Sequence, residues 1–357
     1  MELLPKTLGT RPRLAVELRT EGIMAARAED AAALLTATSR ADLVAGALVP
    51  GLKPGNIFDS AGVTAALRRV LDDIAGRSAG KESGRDVTLI VPDAAVRVLL
   101  LDFDELPGKE LEATPVVRFR LKKLLPFDSD DAAVSYQVMS HTKGSIQVLA
   151  VAMPRDVLAE YEGVVRNAGY LPGAVLPSTL AAVAGLDTSE SPVLVVNACT
   201  ATLTTAILKG GLLLLHRSVD LRGEAGRLGE DRLALDQASY LGRQPVSIDE
   251  HLGTVEETPS MPAPWPSISD ADSGAMDVAQ AISVAAAYFE DTLNRSPESL
   301  LVAGTLDADR LRRMLAANEF QTLIVREMVG PEMVNGGLAN LTVQPGWLAG
   351  VRGALKS

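Results

Sequence analysis

The sequence predicts an α/β protein of two lobes, and three observations carry that expectation. Its 357 residues exceed what one domain of about 150 residues would use. Hydrophobic residues make up 47% of the chain but aromatic residues only 4%, so burial must come from Leu, Val, Ala and Ile packed between strands and helices. Strand-like and helix-like stretches alternate, and the pattern restarts near Ser189 after the polar run DTSESP.

The first half opens with PRLAVEL (12–18) as a buried strand and TEGIMAARAE as its hairpin partner, after a tight turn near Gly22. Residues 60–76 have helical spacing at Val63, Leu67, Val70, Leu71 and Ile74, with Ser60 as the expected N-cap. GRSAGKESG reads as a polar loop, and DVTLIVP and AVRVLLLDF as strands. A helix follows in LEATPVVRFRLKKLLPF and should end at Pro126, since proline cannot continue the hydrogen-bond ladder. AVSYQVMS and SIQVLAVAM, joined through Gly144, form an expected antiparallel pair. The helix in PRDVLAEYEGVVRNAG begins at Pro154 and stops at Gly169.

The second half restarts with successive strands in PVLVVNACTATLTTAILKGGLLLLHRSVDL. RGEAGRLGED reads as a turn before a helix in DRLALDQASYLG, and the Pro-, Ser- and acid-rich stretch that follows is expected to be a flexible loop over 253–275, with Trp265 a local packing point. Then come a long helix in MDVAQAISVAAAYFEDTLNR, the strand SLLVAG, the helix DADRLRRMLAAN, the strand TLIVREM and a closing helix around PGWLAGVRGALK.

The totals exclude several functions. A formal net charge of −11 opposes broad binding to nucleic acid or anionic lipid. Cys199 is the only cysteine, which rules out an intramolecular disulfide and suits a reducing compartment. The most apolar run, GGLLLLHRSV, is interrupted by His216 and Arg217 and falls short of the roughly 18 apolar residues of a spanning helix. His141, His216 and His251 are too widely spaced for a metal-ligand pattern, and no G-x-S-x-G, Walker-type loop or H-E-x-x-H occurs.

Three stretches carry a family resemblance. VRFRLKKLLPFDSDDAAVSYQVM, VLAVAMPRDVLAEYEGVVRNAGYLPGAVLPSTLAAVAGL and AYFEDTLNRSPESLLVAGT resemble the PilM proteins of type IV pilus machines, which are similar to FtsA and to the cytoplasmic part of GspL. The resemblance implies an actin-like (ribonuclease H-like) two-lobed α/β fold with an inserted α/β subdomain in the first lobe. It divides the chain into a first lobe over 1–94, the insertion over 95–175, a return over 176–190, a second lobe over 191–344 and a closing helix over 345–357.

Actin-like proteins bind ATP and Mg²⁺ with two phosphate hairpins, each bearing an Asp near the metal and a Gly whose bare backbone approaches phosphate. Matched to that pattern, the first hairpin has Glu17 for the acid and Arg19 for the glycine, followed by Thr20. The second has Asn197 for the acid and Cys199 for the glycine, followed by Thr200, and the adenosine-side loop keeps only Gly304. These departures predict a degenerate nucleotide pocket, no cofactor and no catalytic residue. The alternatives are a working actin-like ATPase or sugar kinase, the latter lacking a convincing carboxylate base, and a GspL-like secretion component, disfavoured because the sequence stops at Ser357 before any membrane helix.

The resemblance also implies partners. PilM proteins accept the N-terminal peptide of the membrane protein PilN, typically Ile-Asn-Leu-Leu-Pro, and couple it to the pilus assembly motor, so the chain is expected to be cytoplasmic and peripheral to the inner membrane. Extended peptides bind by backbone pairing and alternate side-chain pockets. Arg118, Arg120, Lys122 and Lys123, on the helix whose apolar face is Val117, Leu121, Leu124 and Leu125, are the candidate rim of that groove; an ordinary solvated helix face is the bland alternative. The opening MELLP resembles the partner's own motif, so Leu3, Leu4 and Pro5 could fill the groove of the same or a neighbouring copy, against the plainer reading of an unbound terminus. Self-association into rings or filaments would suit such a fold.

Overall fold

In a computed structural model, the described residues are 12–76, 84–142, 144–221, 270–316, 323–335, 337 and 343–356, with side chains from 277 onward in the helix that starts at 270. The polar loop 77–83, the turn and helix expected over 222–242, most of the 253–275 stretch with Trp265, and the opening MELLP lie outside them.

Two five-stranded sheets share one strand plan. In the first, β1 (Leu14–Arg19), β2 (Gly22–Ala28) and β3 (Leu35–Asp42) form an antiparallel meander, and β4 (Asp86–Val91) and β8 (Leu171–Pro177) extend it in parallel, giving the order β3-β2-β1-β4-β8. In the second, β9 (Val193–Ala198), β10 (Thr202–Lys209) and β11 (Leu212–Asp220) form the meander, with β12 (Ser299–Gly304) and β13 (Ile324–Glu327) parallel beside it, giving β11-β10-β9-β12-β13. The β1–β2 and β9–β10 hairpins are therefore topological equivalents, each with its turn at the end of the sheet's central strand.

Alternation along β1 sets two layers. Leu14, Val16 and Leu18 face α1 (Ser60–Gly76) and α3 (Arg155–Asn167), while Ala15 faces the opposite core. That central core lies between the two sheets and contains α4 (Ser178–Ala184) and α7 (Leu348–Leu355). The helices α5 (Asp270–Leu293) and α6 (Ala308–Ala316) cover the outer face of the second sheet. The result is five layers, helix–sheet–helix–sheet–helix, with α4 and α7 shared by both lobes.

Between β4 and β8, which are neighbours in the sheet, the chain inserts a third unit. Its sheet, in the order β5-β7-β6, consists of β5 (Arg97–Phe103), β6 (Ala132–Thr142) and β7 (Ser145–Pro154), all antiparallel, covered by α2 (Glu110–Leu121). Ala113, Val117 and Leu121 are the buried face of α2, and Val117 and Leu121 join the core that β5 and β7 form with it.

Four local expectations need correction. Asp59, not Ser60, caps α1: its Oδ1 accepts the Gly62 amide at 2.8 Å. The helix α2 starts at Glu110, carries Pro115 inside it and ends at Leu121 rather than at Pro126. The chain turns over 122–124, which brings Leu124 and Leu125 down onto the subdomain core, and Pro126 disfavours helical backbone at Leu125. β3 was not anticipated, because only its Leu35 and Ala41 are buried and the rest shows no apolar period. Finally, α5 starts at Asp270, inside the stretch expected to be flexible, where Asp and Ser suit a helix start.

Candidate functional site

The two equivalent hairpins meet at the mouth of the interlobe core. Glu17 lies on central strand β1, paired in register with Met24 and Ile90, and is fully buried. Its carboxylate forms an ion pair with the Arg19 guanidinium, Oε1 to Nη2 at 2.7 Å, and accepts the Ser178 hydroxyl at 2.5 Å. Gly350 of α7 closes the other side, since a Cβ at that position would collide with Glu17 Oε2. Arg19 is 4% exposed, and its guanidinium carbon lies 5.5 Å from the Trp347 ring centroid, while Arg40 stacks on the same ring at 4.1 Å.

Asn197, the counterpart on β9, donates through Nδ2 to Ser178 Oγ at 2.8 Å and Thr179 Oγ1 at 3.0 Å. Thr179 in turn donates its hydroxyl to Asp93 at 2.5 Å and its amide at 3.1 Å. Residues of both lobes and of the first turn of α4 thus form one buried hydrogen-bonded set. A direct bond also crosses the lobes, because the amide and hydroxyl of Thr200 both donate to Glu21. Cys199 is tucked against Thr202, with Sγ 2.9 Å from its hydroxyl.

Burial dominates the electrostatics. It pushes the Glu17 carboxyl up, against the pull of the Arg19 charge and the Ser178 hydroxyl. For Arg19, burial favours the neutral form, but the Glu17 carboxylate, with Cys199 and Glu21, more than offsets it and keeps the guanidinium charged. Burial also raises the Cys199 thiol, which therefore stays protonated, and lowers His216, whose buried Nε2 has no hydrogen-bond partner.

Of the residues expected from the sequence, the structure brings together Glu17, Arg19, Thr20, Asn197 and Cys199, all but Glu17 lining one small cavity with Pro92, Asp93, Ser178 and Thr202. Thr200 sits beside them on Glu21. Gly304 adopts φ +95° at the end of β12, where a side chain would strike the Ala198 carbonyl, and its own carbonyl is covered by Gly346. Asp93, Ser178, Thr179, Glu21 and Trp347 were not anticipated. A signal existed for three of them: the adjacent parallel strands β4 and β8 both end in Pro followed by polar residues, Pro92-Asp93 and Pro177-Ser178-Thr179.

The cavity measures about 20 Å³, enough for one water. Arg19 lines this cavity and Glu17 lies beside it against Gly350, and Glu17 Oε2, Arg19 Nε and Asn197 Oδ1 are buried without a hydrogen-bond partner. Among the described residues no group of three or more His, Cys, Asp or Glu is placed to hold a metal ion.

The candidate peptide-rim cations do not all face solvent. Arg118 turns inward and donates to the carbonyls of Ser129 and, at 3.2 Å, Ala132. Arg120, Lys122 and Lys123 are exposed; Lys122 lies 3.6 Å from Asp130, and Lys123 lies 5.9 Å from the Phe119 ring centroid. Leu3, Leu4 and Pro5 are outside the described residues. Among the described residues no helix is long and apolar enough to cross a membrane.

No protein-family model matches the sequence, and no curated protein matches it. Solved structures do. A structure of a PilM-PilN type IV pilus biogenesis complex aligns over 96% of this chain and 98% of that chain, with a TM-score of 0.67 and 16% identity. The ethanolamine utilization protein EutJ from Carboxydothermus hydrogenoformans aligns over 98% and 90%, with a TM-score of 0.45 and 12% identity, and the cytoplasmic domain of EpsL from the Vibrio cholerae type II secretion system over 75% and 94%, with 0.37 and 15%. With its paired sheets, shared helices and inserted subdomain, the chain has the actin-like α/β fold of PilM.

Proposed function

We propose that the chain is a non-catalytic adaptor of a type IV pilus inner-membrane platform, which holds the N-terminal peptide of a PilN-like membrane protein and does not turn over ATP. The observation that supports the non-catalytic part is the buried Arg19–Glu17 pair, which in this reading sets the protein's own cation where an actin-like site would keep its phosphate loop open. The peptide part draws on the similarity, at full length, to a protein whose solved structure is a complex with PilN.

In this reading the inserted subdomain offers the peptide site. Arg118 braces α2 against the Ser129–Ala132 turn, and Arg120, Lys122 and Lys123 are candidates for the rim. The opening MELLP competes for the same site, in cis or from a neighbouring copy.

Isothermal titration tests both parts. An Ile-Asn-Leu-Leu-Pro peptide should bind the full chain with about micromolar affinity, and more tightly to a chain starting at Lys6 if the opening segment competes. Magnesium-ATP should give neither binding heat nor phosphate release. Metal-dependent ATP binding would overturn the non-catalytic reading in favour of an actin-like ATPase, and no peptide binding to either chain would overturn the adaptor.

A further inference from the structure

The outward face of α2 is apolar in the middle and oppositely charged at its two ends. Leu111 is 91% exposed, Phe119 69% and Val116 36%, and Pro115 is also exposed. The inward face of the same helix, Ala113, Val117 and Leu121, is already buried, so the fold of the described residues does not use the outward one. Glu110 and Glu112 stand in the first turn, and Arg120, Lys122 and Lys123 at the end. Glu112, Pro115, Phe119 and Lys122 follow one another at spacings of three, four and three, which is the seam of a helix that packs along another helix.

We propose that this face pairs with the same face of a second copy, antiparallel, about a two-fold axis passing between Pro115 and Phe119. Charge complementarity selects that occupant. An antiparallel copy sets the acidic start of each helix against the basic end of the other, so that Glu112 meets the second copy's Lys122 and Pro115 meets its Phe119; a parallel copy would juxtapose like charges. The helix dipoles oppose each other in the same arrangement. An acidic peptide or an anionic lipid surface would be attracted at one end and repelled by Glu110 and Glu112 at the other.

The contacts these side chains make within the chain are easily exchanged. Lys109–Glu112 and Lys122–Asp130 are both exposed pairs at 3.6 Å, of the kind that contributes little. A 12-residue helix is about 18 Å long, and one such face buries less than the roughly 800 Å² per partner of a stable interface. The pair is therefore a weak, concentration-dependent dimer, suited to copies already held close together.

The inference does not depend on peptide capture, and sedimentation equilibrium of the full chain tests it. The expected result is a reversible monomer–dimer equilibrium near about 100 µM, abolished in Phe119→Glu. Glu112→Lys alone and Lys122→Glu alone should each weaken it about five- to tenfold, and the double variant should recover to within about twofold of the parent. A monomer at all concentrations, a dimer indifferent to Phe119→Glu, or a double variant no better than either single would overturn the proposal. So would Phe119-dependent flotation with phosphatidylglycerol vesicles by a chain that remains monomeric. Peptide titration of Phe119→Glu separates pairing from peptide capture: retained peptide binding with lost pairing is the expected outcome, and loss of both would overturn the pairing.

Discussion

In the cleft between the lobes, Glu17 and Arg19 are buried and engaged with each other; on the outer face of α2, Leu111 and Phe119 stand in water. The two regions invert the usual placement of charge and grease. A buried ion pair keeps its charges from water, whereas exposed apolar side chains flanked by charge mark a surface awaiting cover.

The comparison is tested most severely at Arg19. Arg19→Ala would strand the Glu17 carboxylate in the core and should cost about 3–5 kcal/mol in urea denaturation, while an apolar replacement of both residues should restore most of it. The loss should shrink as pH falls. Burial places the folded Glu17 value above its unfolded one, so its contribution is present at low pH and disappears as pH rises through the folded value. A cost below about 1 kcal/mol would mean that the pair does not hold the cleft.

Gly353→Val comes next. A side chain there would drive into the Ala181 carbonyl, where α4 and α7 touch, and should cost about 1–3 kcal/mol. An unchanged melting temperature would show that the shared helices can slide apart. Tyr170 lies between the two extremes, 6% exposed and donating to Asp72 at 2.9 Å. Burial, with that bond, pushes its phenol up to about 12, so its contribution is intact below the ordinary tyrosine value and is lost as pH rises through about 12. Tyr170→Phe should cost about 1 kcal/mol and remove one late-titrating phenol from the ultraviolet titration curve. Smallest is Phe119→Ser, expected to move stability by less than about 0.5 kcal/mol; a larger loss would place Phe119 in this chain's own core.

What the sequence revealed followed from periodicity. α1, α3 and the central strands announce themselves because one face of each is continuously apolar, as at Val63, Leu67, Val70, Leu71 and Ile74. β3 is held by pairing to β2 rather than by an apolar face, and pairing leaves no mark in a single sequence. In the cleft, Glu17, Arg19 and Asn197 could be identified by resemblance. That Arg19 turns back onto Glu17, and that Asp93, Ser178 and Thr179 complete the set, depends on two neighbouring strands ending side by side, a long-range fact that local patterns do not encode.

The position of α7 has a bearing on how the molecule is made. The first sheet needs nothing beyond Pro177, yet Gly350 and Trp347 close over Glu17 and Arg19. During synthesis both charged groups must therefore remain accessible while more than a hundred and fifty further residues leave the ribosome. Closure over the two charges therefore waits on a helix eight residues long.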